Sequence, residues 1–188
     1  MKRTPSEGYN EYQMRAYAQF GVLISLFIDP DNPDDFIAGY IAHINPRQVV
    51  LNAVSPVGHY DGMMGVRLTE VSTVLGEDEY SERLRRLLLL RGEEPKESLD
   101  VEPDEDLFHA MCRKVMNEGR VITIWCGESE YMGHITELND MRLTIGALDF
   151  FGQNPAEVTL ALRDIDLASI GSEDDEMFDL LSENRLPE

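Results

Sequence analysis

The sequence predicts a mainly β fold with flanking helices, arranged as two tandem small β-barrels. Three observations lead there. The stretch "FIAGYIAHINPRQVVLNAVSPVG" (Phe36 to Gly58) returns in altered form as "EYMGHITELNDMRLTIGALDFFG" (Glu130 to Gly152). Within each copy, short runs rich in branched and aromatic residues follow one another with the period of strands. A helix-like segment stands before and after each copy.

The repeat sets the domain plan. With Gly39 laid on Gly133, the pairs Ile41/Ile135, Asn45/Asn139, Ala53/Ala147 and Gly58/Gly152 are identical, and the register runs without a gap from 39 to 71. Upstream, a shorter loop in the second copy restores the match of "GVLISLFI" (Gly21 to Ile28) to "GRVITIWC" (Gly119 to Cys126). The segments "NEYQMRAYAQF" and "DLFHAMCRKVMNE" precede the copies, and "EDEYSERLRRLLLL" and "SEDDEMFDLL" follow them. Self-similarity of this kind marks a duplicated unit of about 90 residues. Residues 1–92 are expected to form the first helix-plus-barrel unit and 106–188 the second. Residues 93–105, acidic and without apolar periodicity, read as the linker.

Each element has its own signal. Leu23, Ser25 and Phe27 alternate with Ile24, Leu26 and Ile28; Val121, Thr123 and Trp125 alternate with Ile122 and Ile124. "INPRQ" and "LNDMR" are turns, because Asn and Asp bond their own backbone and Pro pre-sets it. "VVLNAV" and "LTIGAL" are the next strands. "SPVGHYDG" and "DFFGQNPAE" read as loops, and "VRLTEVSTV" and "VTLALRDIDLASI" close the sheet. Gly39 and Gly133 fall inside strands, where glycine weakens the ladder unless the strand bends or another backbone comes close. Ser172 is placed to cap the last helix, with the acids of "SEDDE" at the positive end of its dipole.

Composition narrows the function classes. The chain has 188 residues, 43% hydrophobic and 28% charged, enough to build a core rather than a disordered tail. Net charge is −20. Residues 1–94 carry 9 basic and 14 acidic side chains (−5), and residues 95–188 carry 7 and 22 (−15). Such a charge repels phosphate backbones and anionic lipid. DNA and membrane are therefore not expected as partners, and RNA is disfavoured. Two cysteines, Cys112 and Cys126, make no disulfide framework and read as buried thiols in a reducing compartment. "FGVLISLFI" (Phe20 to Ile28) is too short to span a bilayer and makes a poor signal peptide. A cytoplasmic protein is expected.

The order helix, strand, glycine-bearing strand, Asn turn, strand, loop and closing strand pair resembles the Sm-like (LSm) proteins. "GYIAHINPRQVVLNAV" resembles their first motif, and "GHITELNDMRLTIGAL" does so more loosely. The likeness covers roughly 20–75 and 118–170, and SH3-type barrels share part of it. It implies two small barrels and a habit of edge-to-edge association. The RNA-pocket residues of the family fall on Asn45 and Gln48 in the first copy and on Asn139 and Arg142 in the second. The family's aspartate is replaced by asparagine in both, and the second motif, with its Arg-Gly, is missing. The resemblance thus implies the fold without the RNA site.

Other constellations are sparse. His59, Tyr60 and Asp61 place an acid–base pair beside a phenol, a candidate ligand or partner loop. His109 and Cys112 share a helix face at zinc-ligand spacing, but no second pair accompanies them. "DPDNPDD" (Asp29 to Asp35) lacks the glycine and closing glutamate of a calcium loop. "RLRRLLLLR" (Arg83 to Arg91) is the one basic cluster, its leucines suited to packing and its arginines to solvent. No nucleophile stands at recognisable spacing from a base. The sequence therefore predicts no metal, no cofactor and no catalysis. The leading expectation is an interaction or assembly module acting through a protein partner or self-association. An RNA-binding Sm-like protein is the alternative, and a small-molecule-binding or enzymatic role for the His59–Asp61 loop is third.

Overall fold

The computed structural model describes residues 7–32, 34–153 and 156–183. Among them the chain forms ten strands and four α-helices and divides into two compact units, Met1–Ser98 and Leu99–Glu188. The sheets are antiparallel throughout. No helix among the described residues is long and apolar enough to cross a membrane.

The first unit runs α1 (Glu7–Phe20), β1 (Leu23–Phe27), β2 (Phe36–Ile44), β3 (Gln48–Val54), β4 (Tyr60–Arg67), β5 (Thr73–Gly76) and α2 (Glu79–Arg91). Its strands lie in the order β5-β1-β2-β3-β4. The second unit runs α3 (Leu107–Glu118), β6 (Val121–Cys126), β7 (Ser129–Leu138), β8 (Arg142–Ala147), β9 (Ala156–Ala161), β10 (Leu167–Ile170) and α4 (Glu173–Glu183). Its order, β10-β6-β7-β8-β9, is the same. The expected closed barrels are not present. The fifth strand of each unit has four residues and lies along the first strand. Closure would need it to bond the fourth strand of its own unit as well, and no such ladder joins them among the described residues.

Two glycines explain the long second strand. Gly39 pairs with Ala53 and Gly133 with Ala147. A Cβ on Gly39 would overlap the carbonyl of Asn52, and one on Gly133 the carbonyl of Gly146. Shortly after each glycine the register slips, between Ile41 and His43 in β2 and between Ile135 and Glu137 in β7. A bulge of this kind bends the strand and increases its twist.

The first strand of each unit is buried along nearly its whole length, at odds with a two-faced alternation. β1 is covered from Leu23 to Leu26 and β6 from Val121 to Ile124. The reason is a second layer. Leu84 and Leu88 of α2 pack on Leu23, Ala38 and Val54, while Ile24 and Leu26 face the opposite side and are fully buried. Burying each such aliphatic side chain contributes roughly 1.5–3 kcal/mol. In the second unit Phe108, Met111, Ile122, Ile124, Leu143 and Ile145 are buried. The double covering also buries two hydroxyls, Ser25 on β1 and Thr123 on β6.

Residues 93–105 hold no helix or strand, yet they are anchored. Glu93 meets His59, Leu99 is buried, and the Asp100 carbonyl accepts from Arg113.

Candidate functional site

The four positions matching the RNA-pocket residues are turn locks. The Asn45 side-chain oxygen accepts from the backbone N–H of Arg47 and of Gln48, each at 2.8 Å, and its Nδ2 donates to Gln48 Oε1 at 3.1 Å. Gln48 is buried. The Asn139 oxygen accepts from the N–H groups of Met141 and Arg142 at 3.0 and 3.1 Å, and Arg142 is exposed. Both asparagines form the self-bonded turn expected of them. Their amide oxygens are already engaged by the backbone of their own turns.

The His59–Asp61 segment differs from the expected loop. β4 begins at Tyr60, so Tyr60 and Asp61 belong to a strand. The loop is shortened by a tight closure at Gly58, whose N–H donates to the Ser55 carbonyl, and Ser55 N–H in turn donates to the His59 carbonyl. His59 is exposed, and its Nδ1 lies 2.7 Å from Glu93 Oε1. That hydrogen bond is the main reason the Glu93 carboxyl sits below its ordinary range. Burial, with Tyr40, Glu94 and Glu93 nearby, pushes the Tyr60 phenol above its ordinary range. The phenol therefore stays protonated near neutrality and is a poor base.

Among the described residues no group of three or more His, Cys, Asp or Glu side chains converges to hold a metal ion; Pro33 of "DPDNPDD" lies outside them. His109 turns to Glu105 at 2.8 Å rather than to Cys112. Arg113 clamps the same carboxylate through Nε and Nη2 at 3.0 and 2.8 Å. The Arg113 bonds, chiefly, hold Glu105 down to about 2. Cys112 is fully buried, which raises its thiol far above the reactive range, whereas Cys126 is half-buried. The expectation of two buried thiols thus holds for Cys112 alone, because Cys126 ends β6 next to the Gly127 turn.

Sequence reasoning missed two features. The first is an exposed apolar corner on each unit. Gly58 and Gly152 both have positive φ (78° and 73°) and lie against Leu87 of α2 and Leu181 of α4. The residues just before these glycines are exposed: Val57 in the first unit, and Phe150 (82%) with Phe151 (73%) in the second. The phenyl rings of Phe150 and Phe151 stack edge to face, 5.7 Å apart. The helices themselves carry further exposed apolar side chains, Leu89 and Leu90 on α2 and Met177 and Leu180 on α4. The leucines of "RLRRLLLLR" are thus only partly in the core: Leu84 and Leu88 are buried, Leu89 and Leu90 are not. Neighbouring large apolar side chains left in water are the signal, and only the fold places loop beside helix.

The second is a buried carboxyl. Asp175, read from sequence as one of several acids at the positive end of a helix dipole, is fully buried. It accepts from Thr123 Oγ1 at 2.7 Å, Ser169 Oγ at 2.9 Å, and Ser172 Oγ and N at 2.7 and 3.1 Å. Ser172 caps α4 as expected, its Oγ accepting from Asp175 N–H at 3.1 Å. Burial raises the Asp175 carboxyl above its ordinary range against the pull of these donors. One turn later Asp179 accepts from the Val121 N–H at 2.7 Å. Asp175 is the one buried side chain of α4, so this helix is held to β6 largely by polar bonds.

Comparison with protein-family models, with curated proteins and with solved structures finds no match to this chain.

Proposed function

We propose that this protein is a non-catalytic interaction and assembly module made of two Sm-like units, descended from one duplicated ancestor and working in the cytoplasm. The observation that carries the reading is the set of large apolar side chains each unit leaves exposed on its glycine turn and its last helix, Val57, Leu89 and Leu90 on one and Phe150, Phe151 and Leu180 on the other. Side chains of this size left in water mark sites of association. The common strand order, the common bulge and the common glycine contacts favour duplication and Sm-like ancestry. Neither Cys112 nor Cys126 forms a disulfide, which suits a reducing compartment.

The RNA reading has less support, since Asn45 and Asn139 already bond their own turns and the charge is −20. The small-molecule or enzymatic reading of His59 to Asp61 has less support too, with His59 paired to Glu93 at the surface. Native mass by light scattering on a sizing column tests the proposal. One chain is 21.3 kDa. Self-association should give a multiple of that mass, about three chains if six units close a ring, and Phe150→Ser with Phe151→Ser should lower it. A monomer that neither of these changes affects and that captures no protein partner, or turnover of any substrate, defeats the reading.

A further inference from the structure

The closing helices of the two units carry opposite charge on their open sides. From Arg83 to its end at Arg91, α2 holds four arginines and no acid. Every charged side chain of α4 is acidic. The buried residues fix which way each helix looks. Ser81, Leu84 and Leu88 lie on the covered side of α2, and Asp175 on that of α4, with Asp179 bonded to β6 one turn later. At 3.6 residues per turn, the open side of α2 carries Arg83, Arg86 and Leu90, and that of α4 carries Glu173, Glu176 and Leu180. All six are exposed, Leu90 at 83% and Leu180 at 63%.

The two sets share a spacing. Each runs i, i+3, i+7, the pattern that lines one face of a helix. Laid side by side in the same chain direction, Arg83 comes opposite Glu173, Arg86 opposite Glu176 and Leu90 opposite Leu180. Glu79, an acid on the same side of α2, then falls beyond the start of α4. Arg85 and Glu82 drop out, since they bond each other at 2.8 and 2.9 Å. Arg83 stands over the Tyr80 ring, 5.1 Å from its centre, which steadies the charge. The apolar end of α4 is bordered by the Gly152 turn, which lies against Leu181 and follows directly on the exposed Phe151.

We infer that α2 of one copy docks on α4 of a second copy, first unit to second unit. The inference rests on the association proposed above and names its two surfaces. A second copy is the occupant because charge and spacing complementary to α4 are both present in this chain. Pairing α4 with α4 would set acids on acids, and α2 with α2 would set arginines on arginines, so unlike helices are selected. The net charge of −20 slows the approach of two copies. At physiological ionic strength, exposed charges more than about 8 Å apart are largely screened, so the pairs that meet decide the contact.

The test is native mass by light scattering over a dilution series of the full chain and two charge-reversed variants. One is Arg83→Glu with Arg86→Glu, the other Glu173→Lys with Glu176→Lys. Each alone should be monomeric at concentrations where the wild type associates. Mixed one to one they should associate again, because each then offers the other a helix of opposite sign. Arg83→Gln with Arg86→Gln is milder and covers a reversed variant that fails to fold. It should raise the concentration at which the complex dissociates several-fold. Variants that keep the wild-type mass and midpoint overturn this docking and leave association through another surface standing. So do reversed variants that are folded by circular dichroism yet stay monomeric when mixed. A wild-type chain that is monomeric at every concentration overturns the docking and self-association together, and leaves a different protein as the partner.

Discussion

The Thr123 hydroxyl donates to the Asp175 carboxylate at 2.7 Å, joining the first strand of the second unit to its last helix. Removing the carboxyl would leave the hydroxyls of Thr123 and Ser169 buried without an acceptor. Asp175→Ala is expected to destabilise the second unit by about 2–4 kcal/mol, read as a lower urea midpoint. Asp175→Asn, which keeps an oxygen in place, should cost less.

The same residue predicts a pH dependence. The folded-state pKa of Asp175 is raised above its ordinary value of 3.8, chiefly by burial. The folded state therefore binds this proton more tightly than the unfolded state. Its contribution is fully present below the unfolded value and is lost as pH rises through the folded one. Urea midpoints measured upward from pH 4 should fall more in wild type than in Asp175→Asn. Equal slopes would mean that the carboxyl is not held in this way.

Glu105 predicts the opposite limb. Its carboxyl is held near 2, mainly by Arg113, against an ordinary value of 4.5. This contribution is present above 4.5 and is lost as pH falls from there toward 2. Glu105→Gln should lower stability at neutral pH and flatten the acid limb, with the midpoint at pH 2 close to that of wild type.

The strand glycines should tolerate no side chain. Gly39→Ala and Gly133→Ala each place a Cβ against a neighbouring strand's carbonyl, and each is expected to cost about 3 kcal/mol or more, the range of severe overpacking. Gly127→Ala is the control. Its Cβ meets open space, and only the positive φ of 59° opposes it, a penalty of about 1–2 kcal/mol.

Thiol chemistry should separate the two cysteines. Cys126 is half-buried and Cys112 fully buried with a raised pKa. Under native conditions a thiol reagent should modify Cys126 alone, and Cys112 should react only as fast as the second unit opens.

The local signals in the sequence were good guides where a residue acts on its own backbone. Asn45, Asn139 and Ser172 do what their side chains dictate within three residues. The glycines flagged close backbone approach because nothing larger fits. The strand beginning at Tyr60 was hidden because Gly58 turns the chain within a stretch whose composition reads as loop. The open sheet was not legible either, since closure depends on whether two strands far apart in sequence meet. Asp175 looked like its acidic neighbours in "SEDDE"; only the depth of β6 beneath α4 distinguishes it. The hydroxyls of Ser25 and Ser81, buried without hydrogen-bond partners, belong to the same blind spot, because no local pattern tells a buried serine from an exposed one.

The two closing helices answer temperature differently. α2 is fixed to its sheet by Leu84 and Leu88, and α4 by the carboxylates of Asp175 and Asp179. Apolar attachment weakens on cooling, while bonds to charged groups do not depend on the entropy of water in that way. Near freezing, α2 should be the helix that loosens first, so this chain carries one cold-labile and one cold-resistant closing helix built on one strand order.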